Sequence, residues 1–396
     1  MSPLFERDRE ALRADQLEQL QLERLQALLA RLRRNVRRYR ELLGDARVES
    51  LADLGRLPAT TPENLVEAFP YGMFALPLRE VIRLHSTVGP DGRQIVVGHT
   101  RNDLDQWGRL VARQLVAAGV TGNDVLQICF GGGFFGQALG YMRGAEVAGA
   151  CVIPEDPFHV EYQLDLMKNY RATVLITTPS NARDLVEVIR ARRMDPQALE
   201  LRALVLSRPV GPEVREELET GLFARAFCGF GLPEILDPGL AVECPEHNLH
   251  VSEDHFLVET VAGELVVTTL AREAMPLLRY RTRVAAQLEC VKCPCGRTGV
   301  VLRPGGRLDD RMTVNEVPLY RAQVEQFLAQ TRIGRQPFAL SVAGRTLELA
   351  VEVSEDIVGD KMGLLTDLKA VLESEFQARF GIVADLRFTS PSRKPA

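Results

Sequence analysis

One change of rhythm limits the fold more than any other feature of this chain. From Ile82 to Leu206, short β-rich runs alternate with helical stretches, whereas beyond Cys244 such runs follow one another with no helix between them. The first pattern predicts strands at Ile82–Ser86, Gln94–Gly98, Val125–Phe130, Ala150–Pro154, Thr173–Thr177 and Ala203–Leu206. Helices are predicted at Arg101–Ala118 behind a Thr100 cap, after Gly131-Gly132-Gly133 to about Gly149, at 161–170 and at Ala182–Arg193. That alternation implies an α/β sheet with helices on its faces. The second pattern predicts strands at Phe256–Thr260, Glu264–Leu270, Ala285–Leu288 and Val300–Arg303, inside a β-rich part near 240–304. Gly305-Gly306-Arg307-Leu308-Asp309-Asp310 then reads as a hinge. Beyond it come a helix (Tyr320–Gln330), two strands (Phe338–Val342 and Thr346–Val353), a helix (Asp360–Phe380) and a last strand (Val383–Phe388). These form a small α+β unit able to hold its own core. The expected domains are residues 1–307 and 308–396.

Ahead of the sheet, residues 6–43 read as one amphipathic helix. Leu25, Leu28, Leu29, Leu32, Val36 and Tyr39 recur at three- and four-residue steps, and Gly44-Asp45 ends it. Pro62 stands at the first position of the next helix. With 46% apolar residues the chain can bury a large core, and 26% charged residues exclude global disorder. A net charge of −5 argues against a nucleic-acid partner. The chain lacks an apolar run of about 18 residues, so no membrane-spanning helix is expected. The opening MSPLFERDRE has no apolar core of a signal peptide, which points to the cytoplasm. There are seven cysteines, an odd number. Three crowd into Cys290-Val291-Lys292-Cys293-Pro294-Cys295, and Cys244 lies near histidines, a spacing that in a cytosolic chain favours metal over disulfide.

A series of short motifs, in order, carries a resemblance. They are LPATT with FPYGMFA (Leu57–Thr61, Phe69–Ala75), VVGHT (Val96–Thr100), GAEVAGACVIP (Gly144–Pro154) and ATVLITTPS (Ala172–Ser180). FGLPE (Phe230–Glu234), EDHFL (Glu253–Leu257), GELVVTTLAREAMPLLRY (Gly263–Tyr280), CGRT (Cys295–Thr298) and GRLDD (Gly306–Asp310) follow. Over nearly its whole length the chain resembles the phenylacetate–coenzyme A ligase group of the adenylate-forming superfamily. The resemblance implies a large multi-sheet adenylate-forming N-terminal domain and a small mobile C-terminal one. It implies that a small carboxylic acid, of aryl or medium acyl type, is adenylated by Mg-ATP and passed to coenzyme A. A homodimer is the assembly it suggests.

The resemblance also assigns residues. Gly89, Gly92 and Arg93, in Thr87–Gln94, stand where the family holds phosphates, although Val88, Pro90 and Asp91 replace hydroxyl-bearing or neutral positions, and a plain hairpin turn is the alternative. Gly231 lies against the adenylate, and Glu234 holds magnesium on the phosphates, as a hard oxygen ligand can; the alternative is a helix-capping turn. Arg307 meets the adenylate as the C-terminal domain swings, and Asp309 supplies the joint. In Arg279–Val284, Val284 replaces the Asp that accepts hydrogen bonds from both ribose hydroxyls. Asn315–Leu319 lacks the family's glycine beside the thioester tunnel. Lys394 is the one counterpart of the adenylation lysine, or else a terminal charge. Phe134, Phe135 and Tyr141 would line the acid pocket, or be core. Cys244, His250, Cys293 and Cys295 match a structural zinc site, with Cys290 and His247 in reserve. Because several nucleotide contacts are replaced, the alternative function is a catalytically impaired homologue that binds a small acid or a protein partner on the same scaffold.

Overall fold

The computed structural model describes residues 4–130, 135–155, 159–315, 317–334, 336–353 and 362–389. Two compact units emerge: residues 1–87 with 94–308, and residues 88–93 with 309–396.

The larger unit is built on an eleven-stranded sheet. In chain order its strands are β3 (Val125–Cys129), β4 (Cys151–Ile153), β5 (Val174–Thr177), β6 (Ala203–Leu206), β7 (Arg225–Leu232), β8 (Leu236–Glu243), β9 (Leu249–Val251), β10 (Phe256–Val261), β11 (Glu264–Thr269), β12 (Tyr280–Glu289) and β13 (Val301–Arg307). Their spatial order is β10-β11-β12-β13-β9-β8-β7-β6-β5-β3-β4. From β4 to β7 all pairs are parallel; from β7 onward all are antiparallel. The sequence's change of rhythm is thus a change of strand direction within one sheet. β5 and β6 are buried at every residue because helices cover both faces of the parallel half. A separate hairpin, β1 (Arg83–Val88) and β2 (Gln94–His99), precedes the sheet.

Local chemistry sets the helix ends. Thr100 accepts from the Asp103 N–H while Asp103 Oδ2 accepts from the Thr100 N–H, both at 3.0 Å, which starts Arg101–Ala117. Thr178 caps the Asn181 N–H at 3.1 Å, so the helix predicted at Ala182–Arg193 begins three residues early, at Pro179. The N-terminal helix is not continuous. It divides into Arg7–Glu10, Ala14–Asn35 and Arg37–Leu43, with Val36 extended at φ −112°, ψ 112°. The apolar stripe survives the break: Leu25, Leu28, Leu29, Leu32, Val36 and Tyr39 are all buried. Pattern reading did not foresee the helix Pro212–Leu222 or the β7–β8 hairpin.

The smaller unit holds the hairpin β14 (Met312–Val314)–β15 (Val317–Leu319) and the sheet β16 (Phe338–Ala343)-β17 (Thr346–Glu352)-β18 (Ala384–Thr389). The helices Arg321–Ala329 and Met362–Phe380 pack through Phe327, Phe376 and Phe380, with ring centroids 4.6–6.0 Å apart.

Candidate functional site

The turn between β7 and β8 carries the acidic group. Glu234 is only 6% exposed. Around it, two donors take carbonyls of the turn and a third takes one in β8. His85 Nε2 donates to Pro233 O at 3.2 Å, Arg272 Nη1 to Ile235 O at 2.6 Å, and Trp107 Nε1 to Pro238 O at 2.6 Å. Arg272 also donates to Gly98 O at 2.8 Å, tying the turn to β2. At Gly231 a Cβ would stand 2.1 Å from Leu236 O, so only glycine lets β7 and β8 approach this closely.

Strands β12 and β13 join the larger unit to its boundary. Arg307 lies opposite Val284 in the ladder and donates to Thr282 O at 3.1 Å; the Leu308 N–H donates to Arg283 O at 2.8 Å. Asp309 begins the second stretch of the smaller unit. Val284 is 5% exposed and part of the main apolar core. Arg279 and Arg281, on the same segment, are committed to Glu259 and Glu264.

The tip Val88–Arg93 is a tight turn. The Gly89 N–H donates to Arg93 O at 2.8 Å, the Gly92 N–H to Gly89 O at 2.9 Å, and the Arg93 N–H to Asp91 Oδ1 at 3.0 Å. Arg93 Nε also pairs with Asp91 Oδ2 at 2.6 Å. Three N–H groups and the cation that would serve a phosphate are engaged within the turn itself, and Gly92 takes the positive φ, +80°, that the turn demands.

Cys244, His250, Cys293 and Cys295 come together, with one ligand atom from each lying within 4.8 Å of every other. The Cys244 and Cys293 sulfurs are 3.6 Å apart, and Cys295 Sγ is 3.5 Å from His250 Nε2. Two thiolates on a tetrahedral zinc stand about 3.8 Å apart, and a thiolate and an imidazole nitrogen about 3.6 Å. The separation is far beyond a disulfide bond, and all seven cysteines are free thiols. Around the quartet, Asn248 Nδ2 and the Arg297 N–H each approach a cysteine sulfur at 3.4 Å, and His250 Nδ1 lies 3.5 Å from Gly299 O, which turns Nε2 toward the thiols. Burial, foremost, brings His250 down to about 4, so the ring is neutral and able to ligate. This donor set fits a metal ion. The reserve ligands stay outside it: His247 Nδ1 lies 3.1 Å from Glu243 Oε1, and Cys290 is exposed.

No family model matches the chain. Curated relatives do. It is 38% identical to a phenylacetate–coenzyme A ligase of Thermus thermophilus over 346 residues, covering 82% of this chain and 78% of the relative. To the ligase of that name from Escherichia coli it is 34% identical, covering 86% and 83%; to that of Aromatoleum evansii it is 31% identical, covering 95% and 91%. The chain belongs to the phenylacetate–coenzyme A ligase family. Its fold is that of adenylate-forming ligases. A crystal structure of 2-hydroxyisobutyryl-CoA ligase with 2-HIB-AMP and CoA superposes with a TM-score of 0.88 at 22% identity, covering 98% of this chain and 89% of that one. The amide bond synthetase McbA of Marinactinospora thermotolerans superposes with a TM-score of 0.59 at 16% identity, covering 79% and 66%.

Set against the family pattern, the remaining assignments divide. Tyr141 is wholly buried, stacked on Phe130 at 6.0 Å and accepting from Gln114 Nε2 at 3.2 Å, which is a core position. Phe134, Glu316 and Lys394 lie outside the described residues, and Phe135 is described only as the first residue of the helix Phe135–Ala148. The clamp on the turn, formed by His85, Arg272 and Trp107, was missed. No local motif marks it, because its members meet only through tertiary structure.

Proposed function

We propose that this protein is an ATP-dependent carboxylate–coenzyme A ligase. A carboxylate oxygen of a small acid, aryl by the relatives' name, attacks the α-phosphorus of ATP and pyrophosphate leaves. The coenzyme A thiol then attacks the acyl carbon and AMP leaves. The observation that carries this reading is Glu234, a residue only 6% exposed on a turn whose carbonyls on either side of it, Pro233 O and Ile235 O, are held by His85 and Arg272. A carboxylate so placed suits a divalent cation that accompanies the phosphates. Arg307 would meet the adenylate and Asp309 act as joint when the smaller unit moves. Gly89, Gly92 and Arg93 would meet phosphates only after their turn opens, so weak nucleotide binding is expected. Lys394 remains the proposed adenylation cation.

The cysteine–histidine quartet holds zinc in this reading, in a closed site with four protein ligands, so its role is structural. Seven cysteines with no disulfide among them accord with the cytoplasm. No helix among the described residues is long and apolar enough to cross a membrane. A homodimer rests on the family resemblance alone; light scattering tests it. For the activity, the measurement is acid-dependent pyrophosphate release with a panel of aryl acids, followed by thioester formation with coenzyme A. Release of pyrophosphate with at least one acid is expected. Absence of nucleotide binding at millimolar Mg-ATP would eliminate the ligase reading in favour of a non-catalytic scaffold.

A further inference from the structure

We propose that His85 is a positioning residue: backed by His99, it clamps the Pro233 carbonyl and so fixes the turn from which Glu234 meets the metal–nucleotide. The inference deepens the ligase reading and rests on it for Glu234's role. A carbonyl only accepts, so the His85 Nε2 that lies 3.2 Å from Pro233 O carries the ring proton. His85 Nδ1 is then an acceptor, and the His99 Nε2 at 3.1 Å must donate to it. The order of donors is therefore set: His99 to His85 to the turn. His99 Nδ1 is left as a buried lone pair with no hydrogen-bond partner.

Packing holds this relay still. His99 is 1% exposed, stacked on His85 at 4.9 Å and on Trp107 at 5.5 Å and 11°. Trp107 in turn donates to Pro238 O in β8, the strand that leaves the turn. Burial, foremost, holds both imidazoles below the usual histidine range, and Arg272 and Arg83 reinforce it; both rings are therefore neutral, as the relay requires. Glu234 sits one residue from the carbonyl that His85 takes and one from the carbonyl that Arg272 takes. Without the first clamp the carboxylate keeps one anchored neighbour, and its direction is no longer set. Trp107 is the chain's single tryptophan, so the relay carries its own optical reporter.

The test compares wild type, His85→Phe and His85→Gln. Phenylalanine keeps the ring without a donor; the glutamine amide can still donate to Pro233 O. In the first arm, without nucleotide, hydrogen exchange over residues 230–238 should quicken about tenfold in H85F, the worth of one lost hydrogen bond. Trp107 emission should shift, and H85Q should restore both. In the second arm, the apparent affinity for Mg²⁺ in pyrophosphate release should weaken about tenfold in H85F, while kcat at saturating Mg²⁺ changes less. Unchanged exchange and emission in H85F overturn the clamp outright. A changed turn with an unaltered Mg²⁺ dependence in an active enzyme overturns its bearing on the metal–nucleotide. A wild type that releases no pyrophosphate removes the ligase reading instead, and the clamp is then judged on the first arm alone.

Discussion

The cysteine–histidine quartet and the Val88–Arg93 turn contrast as two answers to one problem: how a chain holds a charged ligand. In the quartet, four side chains from three separate stretches aim their ligand atoms at a common point, and the backbone around them is arranged to orient those atoms. In the turn, the N–H groups and the guanidinium point back into the turn. A site whose lone pairs converge on a common point is suited to a cation from outside. A site whose groups already satisfy each other binds only at the cost of breaking those bonds. The difference predicts large effects around the quartet and small ones at the turn.

The largest effect is expected at the quartet. Cys295→Ser should abolish stoichiometric zinc, measured by elemental analysis, and lower stability by several kcal/mol, because a preformed site couples metal binding to folding. Chelation of the wild type should reproduce the loss in a thermal melt. A C295S protein that keeps full zinc and its melting temperature would make Cys290 or His247 the true ligand, and would break the contrast.

Next comes the buried ion pair that borders the quartet's region. Arg113 makes two 2.8 Å bonds to Asp254 and another to Glu6, and Arg113 and Asp254 are at most 3% exposed at their side chains. Although burial alone raises Asp254, the Arg113 bond outweighs it and holds the carboxyl below its ordinary value. A folded-state value below the unfolded one stabilises above the unfolded value and is lost as pH falls through the folded one. Arg113→Met should therefore cost roughly 3–5 kcal/mol at neutral pH, by leaving Asp254 charged and unpaired. Its deficit should shrink as the pH is lowered into the range where Asp254 protonates. A deficit that stays constant through acid would show that packing, not charge, is what Arg113 supplies.

Val284 sharpens the comparison on the nucleotide side. Its side chain lies in the main core, so Val284→Ala should cost about 2 kcal/mol of stability. The apparent affinity for Mg-ATP should not change. A drop in nucleotide affinity with no loss of stability would make it a ligand contact after all.

The sheet was legible in the sequence because its signals are local, whereas the full quartet came through the family resemblance and only its Cys293-Pro294-Cys295 part is a local signal. Period-2 runs, capping residues and the close Cys293-Pro294-Cys295 pair act over a few residues, and Thr100 and Pro62 marked helix starts that the structure has. Longer-range facts were not. Nothing near Val36 signals an extended residue inside a helical stripe, and the β7–β8 hairpin hides in the FGLPE motif because a proline-bearing turn there reads equally as a cap. His85, Trp107 and Arg272 are scattered across the chain, and each is an ordinary core or strand residue until the fold brings to them two carbonyls of the β7–β8 turn and one of β8. In the Val88–Arg93 stretch the residue types were legible but not their engagement. Only coordinates reveal that Arg93 is already matched by Asp91.

The smallest expected effect tests that engagement directly. Asp91→Asn removes an exposed ion pair, whose side chains are 44% and 64% accessible, so stability should move by no more than about 0.5 kcal/mol. The amide can still accept from the Arg93 N–H, so the turn should persist while the guanidinium is released. If the tip approaches phosphate during turnover, freeing Arg93 and deleting the carboxylate should both favour the anion, and the apparent KM for Mg-ATP should fall by several-fold with kcat little changed. The gain should fade with added salt, since an exposed charge is screened within about 10 Å at 0.1 M. An unaltered KM would place the tip outside the nucleotide's reach and leave Glu234 and its clamped turn as the principal anchor on that side.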